Sequence, residues 1–250
     1  MSAFDSTSAV TASPGARRSL VALYKLLLRT QITVPRLLGI AALGALSVVI
    51  GVFTRWDSEP AQAAADAVSS YGLGLVVPLA ALWLGTSAIG DLVEDRLLVY
   101  LWLKPVPRWQ LPAAAVLATT TVVVPLAALP VAATTLVAGA GDMALPALLA
   151  ASLAGFAYAG VFVAAGLWFR RAVWWGLAFV LLWENAVANL AEGSARFTVV
   201  GWANSVLSAA PDVEVTPSAG SATVALVVLP AVALAGWLAA TVRYRRADVD

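Results

Sequence analysis

Six apolar stretches, each long enough to cross a bilayer, occupy most of this chain: residues 37–53, 71–90, 111–138, 144–169, 172–190 and 221–242. Lipid offers no partner to a backbone N–H or C=O, so a segment that crosses it must satisfy its own groups, as a helix does. At 1.5 Å of rise per residue, about 20 apolar residues cover the hydrocarbon core. The pattern predicts an all-α membrane protein with six transmembrane helices. Charged residues make up 12% of the chain, half of the roughly 25% found in soluble domains. Residues 1–250 therefore read as one membrane domain with no soluble unit attached.

The polar intervals set the predicted orientation. With both termini on the inner side, that side holds Arg17, Arg18, Lys25, Arg29, Arg36, Arg96, Lys104, Arg108, Arg170, Arg171, Arg243, Arg245 and Arg246, which leaves only Arg55 and Arg196 of the 15 basic residues outside. Basic residues of short loops stay in the cytoplasm, so both termini are predicted there. Trp56, Tyr71 and Trp202 near outer ends, and Trp109, Trp168, Trp174, Trp175 and Tyr244 near inner ends, fit aromatic belts.

Composition removes several chemistries. The chain has no cysteine, so disulfide, thiol and thiolate-metal chemistry are excluded. It has no histidine, the usual general base and the commonest transition-metal ligand. A net charge of +1 gives no nucleic-acid signal. Catalysis needs convergent nucleophiles, acids or ligands, and one acid inside a span does not supply them, so no enzyme is predicted. The chain contains no Gly-x-x-x-x-Gly-Lys-Ser/Thr phosphate loop, and no cofactor is expected on it. Arg17-Arg18 resembles the start of a twin-arginine signal, but Lys25 and Arg29 interrupt the apolar run that would follow, so no cleaved signal is expected.

Residues 17–33 predict an amphipathic helix. Arg18, Lys25, Arg29 and Arg36 recur at helical spacing, and Leu20, Leu23 and Leu27 lie on another face. A basic stripe opposite an apolar one suits a helix lying in the headgroup layer. Pro78, Pro125, Pro130 and Pro230 fall inside spans, where each removes a backbone hydrogen bond and favours a kink. Ala151, Gly155 and Ala159 put small side chains on one face of the fourth span, which permits close helix contact. Residues 55–70, with Asp57, Glu59 and Asp66, read as a polar loop, and residues 139–142 as a tight turn.

The interval between the second and third spans, about residues 91–110, is too charged at its start to enter lipid and too apolar in its middle for a free loop. It predicts a short helix at the inner surface. Asp91, Glu94 and Asp95 lie in its first turn, where the helix dipole favours negative charge, and Lys104 and Pro105 end it. Two compatible readings stand: the charges cap and anchor the helix, or they dock a cytoplasmic partner.

The run Glu94-Asp95-Arg96-Leu97-Leu98 through Lys104-Pro105-Val106-Pro107-Arg108 resembles the loop after the second span in permeases of the ATP-binding-cassette type-2 exporter family. The six-span layout, the basic N-terminal helix and the longer segment before the last span are similar as well. Two positions depart from the family pattern. Arg96-Leu97 stands where a Gly-Thr pair is frequent, and Ala113 to Ala115 stand where a Lys is common.

The resemblance implies a transmembrane permease subunit in the plasma membrane of a bacterium. It would be driven through a coupling helix by a separate cytoplasmic ATPase that binds ATP and Mg, and paired with a second copy or a homologous permease. Asp91, Glu94, Asp95, Arg96, Lys104, Pro105 and Arg108 are the implied docking residues, with Arg18, Lys25 and Arg29 on the interfacial helix. The apolar walls of the spans suit a hydrophobic or amphipathic substrate, such as a drug or lipid. The alternative is a non-transporting permease-like subunit that serves mechanotransmission, immunity or maturation of an outer partner.

Glu184 is the one acid placed inside a span, with Asn185 and Asn189 beside it. An ionisable residue at depth is costly unless it faces water, protein or a partner. Two readings are open: a gate or pathway residue, or an acid near the headgroups that bonds a helix end. Trp183-Glu184 matches a pair that similar permeases carry, which implies a structural or gating role. Residues 192–220 mix apolar and polar side chains, and two readings are open: an ordinary amphipathic outer loop, or, as the resemblance implies, short helices that dip into the outer leaflet and cover the pathway.

Overall fold

The computed structural model describes residues 14–94, 107–169, 171–187, 193–211 and 213–246. Among them every regular element is helical. We number the helices α1 (Pro14–Gln31), α2 (Val34–Thr54), α3 (residues 60–94), α4 (Gln110–Ala138), α5 (Ala144–Trp168), α6 (residues 172–187), α7 (Val199–Leu207) and α8 (Ala222–Arg246). Five of them, α2, α3, α4, α5 and α8, are long and apolar enough to cross a bilayer, and α6 carries a shorter apolar stretch, Ala172–Glu184. By length and composition the chain is a multi-pass membrane protein.

Cross-helix contacts give the bundle two ends. Ser19 bonds Gln110 and Arg108 bonds the carbonyl of Arg245, so α1, the start of α4 and the close of α8 share one end, called the arginine end below. Gln62 bonds the backbone of Glu214 at the far end, which also holds the start of α5. The α4–α5 turn is closed there by Gly139 at φ 90°, a left-handed conformation that suits glycine. Its N–H reaches Leu136 O and the N–H of Ala140 reaches Thr135 O, the two bonds of a Schellman motif.

α5 is the hub. It is apolar on all sides and its buried residues are mostly Ala and Gly, which lets neighbours approach closely. α3 and α8 run parallel to it, and α4 and α6 run antiparallel. Gly155 faces Val123 of α4, as the small-residue face predicts. A closer crossing lies one turn on, where Gly160 meets the backbone of α8 at Ala233 and Gly236.

Three of the helices contain wide π-helical turns. One covers Val68–Val76 immediately before Pro78, and another covers Val124–Ala128 around Pro125. A proline has no N–H to donate and its ring crowds the carbonyl four residues back, so a wider turn relieves both problems. Pro230 sits inside α8 with no such turn around it. Pro125 and Pro130 also border an open apolar groove of 360 Å³ between α2 and α4, lined further by Ala41, Ala45 and Val48.

One expectation fails in residues 55–70. The helix of the second span begins at Pro60, eleven residues before the apolar run suggests. Pro60 occupies the first turn, where its missing N–H costs nothing. Ala64, Ala65 and Val68 then pack inward, while Asp66 stays exposed. A stretch that reads as polar by composition is amphipathic by period.

Candidate functional site

The site is built where α6 meets α7. Thr198 precedes the apolar run of α7 with extended backbone, and its Oγ1 accepts from the N–H of Gly201 at 3.1 Å, an N-cap. A helix leaves its first N–H groups without intrahelical partners. Here Glu184 supplies the others. Its Oε1 accepts from Val199 N at 3.1 Å and its Oε2 from Val200 N at 3.0 Å. The carboxylate is 1% exposed and lies at the positive end of the α7 dipole. Trp183, next to it, donates from Nε1 to Phe197 O at 3.2 Å.

The depth of this junction follows from α5. Tyr158 is fully buried, and its hydroxyl lies close enough to Glu184 to interact electrostatically, although it closes no hydrogen bond of good geometry. Tyr158 is fourteen residues from the start of α5 and ten from its end, or about 21 Å and 15 Å along the axis. Glu184 therefore sits in the interior of the bundle. Val199 and Val200 lie against the Glu184 carboxylate, so α7 begins inside the bundle. At nine residues it is too short to cross a bilayer. Such backbone is tolerated at membrane depth only when protein covers it, and eight of the nine α7 residues are buried.

The segment around α7 binds itself together. Ser205 Oγ accepts from the N–H groups of Ala219 and Gly220 at 3.0 and 3.1 Å and donates to Gly201 O at 3.0 Å. Asn204 Nδ2 donates to Pro217 O, Arg196 Nε to Ala219 O, and Trp202 Nε1 to Arg196 O. At the far end Gln62 and Glu214 exchange two bonds, at 2.8 and 3.1 Å. With both oxygens engaged by backbone donors, Glu184 acts chemically as a holder of a helix end.

The other sequence-predicted residues fall elsewhere. Asn185 lies in α6 beside Glu184, and Asn189 lies outside the described residues. Asp91 and Glu94 lie in the last turn of α3, while Asp95, Arg96, Lys104 and Pro105 lie outside the described residues. Arg108 is exposed, and its Nη1 donates to Arg245 O at 2.9 Å. Beside it, the rings of Trp109 and Trp237 meet edge to face at 6.4 Å, and Trp237 Nε1 donates to Trp109 O. The segment that follows residues 95–106 is thereby clasped to the end of α8.

Arg18, Lys25 and Arg29 are exposed along α1. The opposite face, Leu23 and Leu27, is buried against α4 with Leu111, Ala114 and Ala115. Polar bonds join the same two helices: Ser19 to Gln110, Tyr24 to Thr121, and Gln31 to Thr119. The apolar stripe of α1 is covered by protein.

Sequence reasoning misses Tyr158, Thr198, Ser205 and Gln62. Only Thr198 carries a local signal, a threonine directly before an apolar run. No known protein-family model and no curated protein matches the chain in sequence.

Proposed function

We propose that this chain is the permease subunit of an ATP-driven exporter of the type-2 ATP-binding-cassette family. In this reading α6 is the fifth of six spans, the arginine end faces the bacterial cytoplasm, and α1 is the inner-surface helix. A separate ATPase binds ATP and Mg and docks on the end of α3 and the segment between α3 and α4 through Asp91, Glu94, Asp95, Arg96, Lys104, Pro105 and Arg108. A second permease, identical or homologous, completes the pathway for a hydrophobic or amphipathic substrate. The single observation that carries the reading is the acidic, then apolar, then Lys-Pro-containing run between two long apolar helices.

The geometry suits such a role. Arg108 and Trp109 clasp the end of α8, and α8 lies backbone to backbone on the hub α5, so a push on the preceding segment has a stiff route into the bundle. The test is the charge-reversal pair Glu94→Lys and Asp95→Lys in the full chain, co-expressed with an ATP-binding-cassette ATPase that co-purifies with the unaltered chain. We expect loss of co-purification and of ATPase stimulation with the melting temperature of the permease unchanged. Retention of both activities would remove the docking role.

A further inference from the structure

We infer that the furrow between α2 and α4 binds one acyl chain of an anionic phospholipid, whose headgroup rests on Lys25 and Arg29 of α1. The site requires a bilayer but no ATPase and no transport.

The furrow follows from unequal packing of the two helices. At Gly44 they touch: a Cβ there would lie 2.8 Å from Leu126 O. On the adjoining face of α2, Ala41 and Ala45 are too small to fill the space left beside Pro125, Leu129 and Pro130. The 360 Å³ that results has a wholly apolar lining and falls within the about 300–1,000 Å³ of small-ligand pockets. It opens to the outside of the bundle, where Ala45, Pro125 and Leu129 are exposed. Alanine and proline have almost no rotamer freedom to lose, so an occupant meets a preformed surface. That occupant is narrow. The lining runs from Ala41 to Val48 on α2, about 10 Å of helix. A helix with its side chains is about 10–12 Å across, so a helix of a second copy would bridge the furrow, whereas a hydrocarbon chain fills it.

Positive charge lies at one mouth. Tyr24 of α1 donates its hydroxyl to Thr121 of α4 at 3.1 Å, and Thr121 stands one helical turn before Pro125. Lys25 follows Tyr24 directly, Arg29 lies one turn further along α1, and both are exposed. Neither α1 nor α2 contains an acidic residue. Ala41 is about 10 Å beyond the start of α2 at Val34, and half of the hydrocarbon core is about 15 Å. A lipid of the leaflet at the arginine end, with its phosphate at Lys25 and Arg29, therefore reaches the furrow with the distal part of a chain. The phosphate accepts charge-assisted bonds from both side chains. A zwitterionic headgroup brings a cation that the same two side chains repel.

The test uses the full chain in nanodiscs of phosphatidylcholine with a minor fraction of phosphatidylglycerol that carries a photoactivatable diazirine near the end of one chain. The comparison site is Val227 on the exposed face of α8, which lies about as far from the Arg108–Arg245 clasp as Pro125 does. Labelling across 41–48 and 125–133 should exceed that around Val227 at least fivefold. Ala45→Phe, which fills the furrow from a position already exposed, should remove the excess. Lys25→Gln with Arg29→Gln should lower it at least fivefold, with the melting temperature unchanged in both variants. The same diazirine on phosphatidylcholine should give no excess.

Furrow labelling no stronger than at Val227 would overturn the site and leave annular lipid only. Equal excess with either headgroup would overturn the part given to Lys25 and Arg29, and the anionic ligand with it. An unlabelled furrow, together with oxidative dimers of Ala45→Cys in a chain that otherwise has no cysteine, would assign the furrow to a second copy instead.

Discussion

The α5–α8 seam and the α6–α7 junction both bring helices into close contact, by opposite means. At the seam, side chains are deleted: Gly160 faces Gly236 and Ala233, and backbones touch. At the junction, a side chain is supplied: Glu184 reaches two backbone N–H groups of α7. The difference comes from where the helices begin. α5 and α8 are full-length helices whose backbone groups at the crossing are satisfied within each helix, so their contact needs only proximity. α7 begins inside the bundle, and the extended backbone of Thr198 cuts its first N–H groups off from the carbonyls of the preceding turn, so Val199 and Val200 take their acceptors from another helix. In this chain the short helix α7 is thus matched by an acid elsewhere in the sequence.

The sharpest way to break this comparison is to put a side chain into the seam. A Cβ at Gly160 would lie 2.5 Å from Ala233 O and 2.8 Å from its Cα. Backbone cannot rotate away, so two helices must separate along their length. Gly160→Val should cost at or beyond the top of the about 1–3 kcal/mol typical of overpacking, seen as loss of monodisperse protein in detergent and a large fall in melting temperature. A folded, monodisperse variant would show that the helices do not meet here.

Glu184→Leu comes next. It leaves the Val199 and Val200 N–H groups buried without acceptors, at about 1–3 kcal/mol for each buried group. Glu184→Gln should cost less, because one acceptor remains. The order Leu worse than Gln in thermal unfolding separates a capping role from mere space filling. The reverse order, or equality, would mean the two N–H groups find other partners.

The long helices were legible because bilayer physics leaves few alternatives for an apolar run, and the expected limits of α2, α4, α5 and α8 lie within a few residues of those found. Elsewhere the pattern named a face without naming what covers it. The leucines of α1 lie on one side as their spacing predicts, but nothing in that spacing says that Leu27 and Gln31 pack on α4. The acid at 184 was conspicuous because charge inside a span is costly. Its partners were not, since they come fifteen and sixteen residues later in a segment read only as mixed. The Gly160–Gly236 crossing was hidden for the same reason: in a chain this rich in alanine and glycine, no small residue stands out until the helices are placed.

The smallest expected effect tests whether closeness alone decides. Gly155 also lies in a tight place, with Val123 Cγ1 2.8 Å from where a Cβ would stand. That neighbour is a side-chain methyl of a buried valine on α4, which must shift to admit the added carbon, whereas the neighbour of Gly160 is a backbone carbonyl. An alanine at 155 also gains the helix preference of Ala over Gly, worth about 0.5–1 kcal/mol. The two terms oppose each other, so Gly155→Ala should shift the melting temperature only slightly, in either direction, while Gly160→Ala lowers it clearly. Equal losses at the two sites would mean that the fourth span tolerates no added methyl anywhere. The distinction between a side-chain contact and a backbone crossing would then fall.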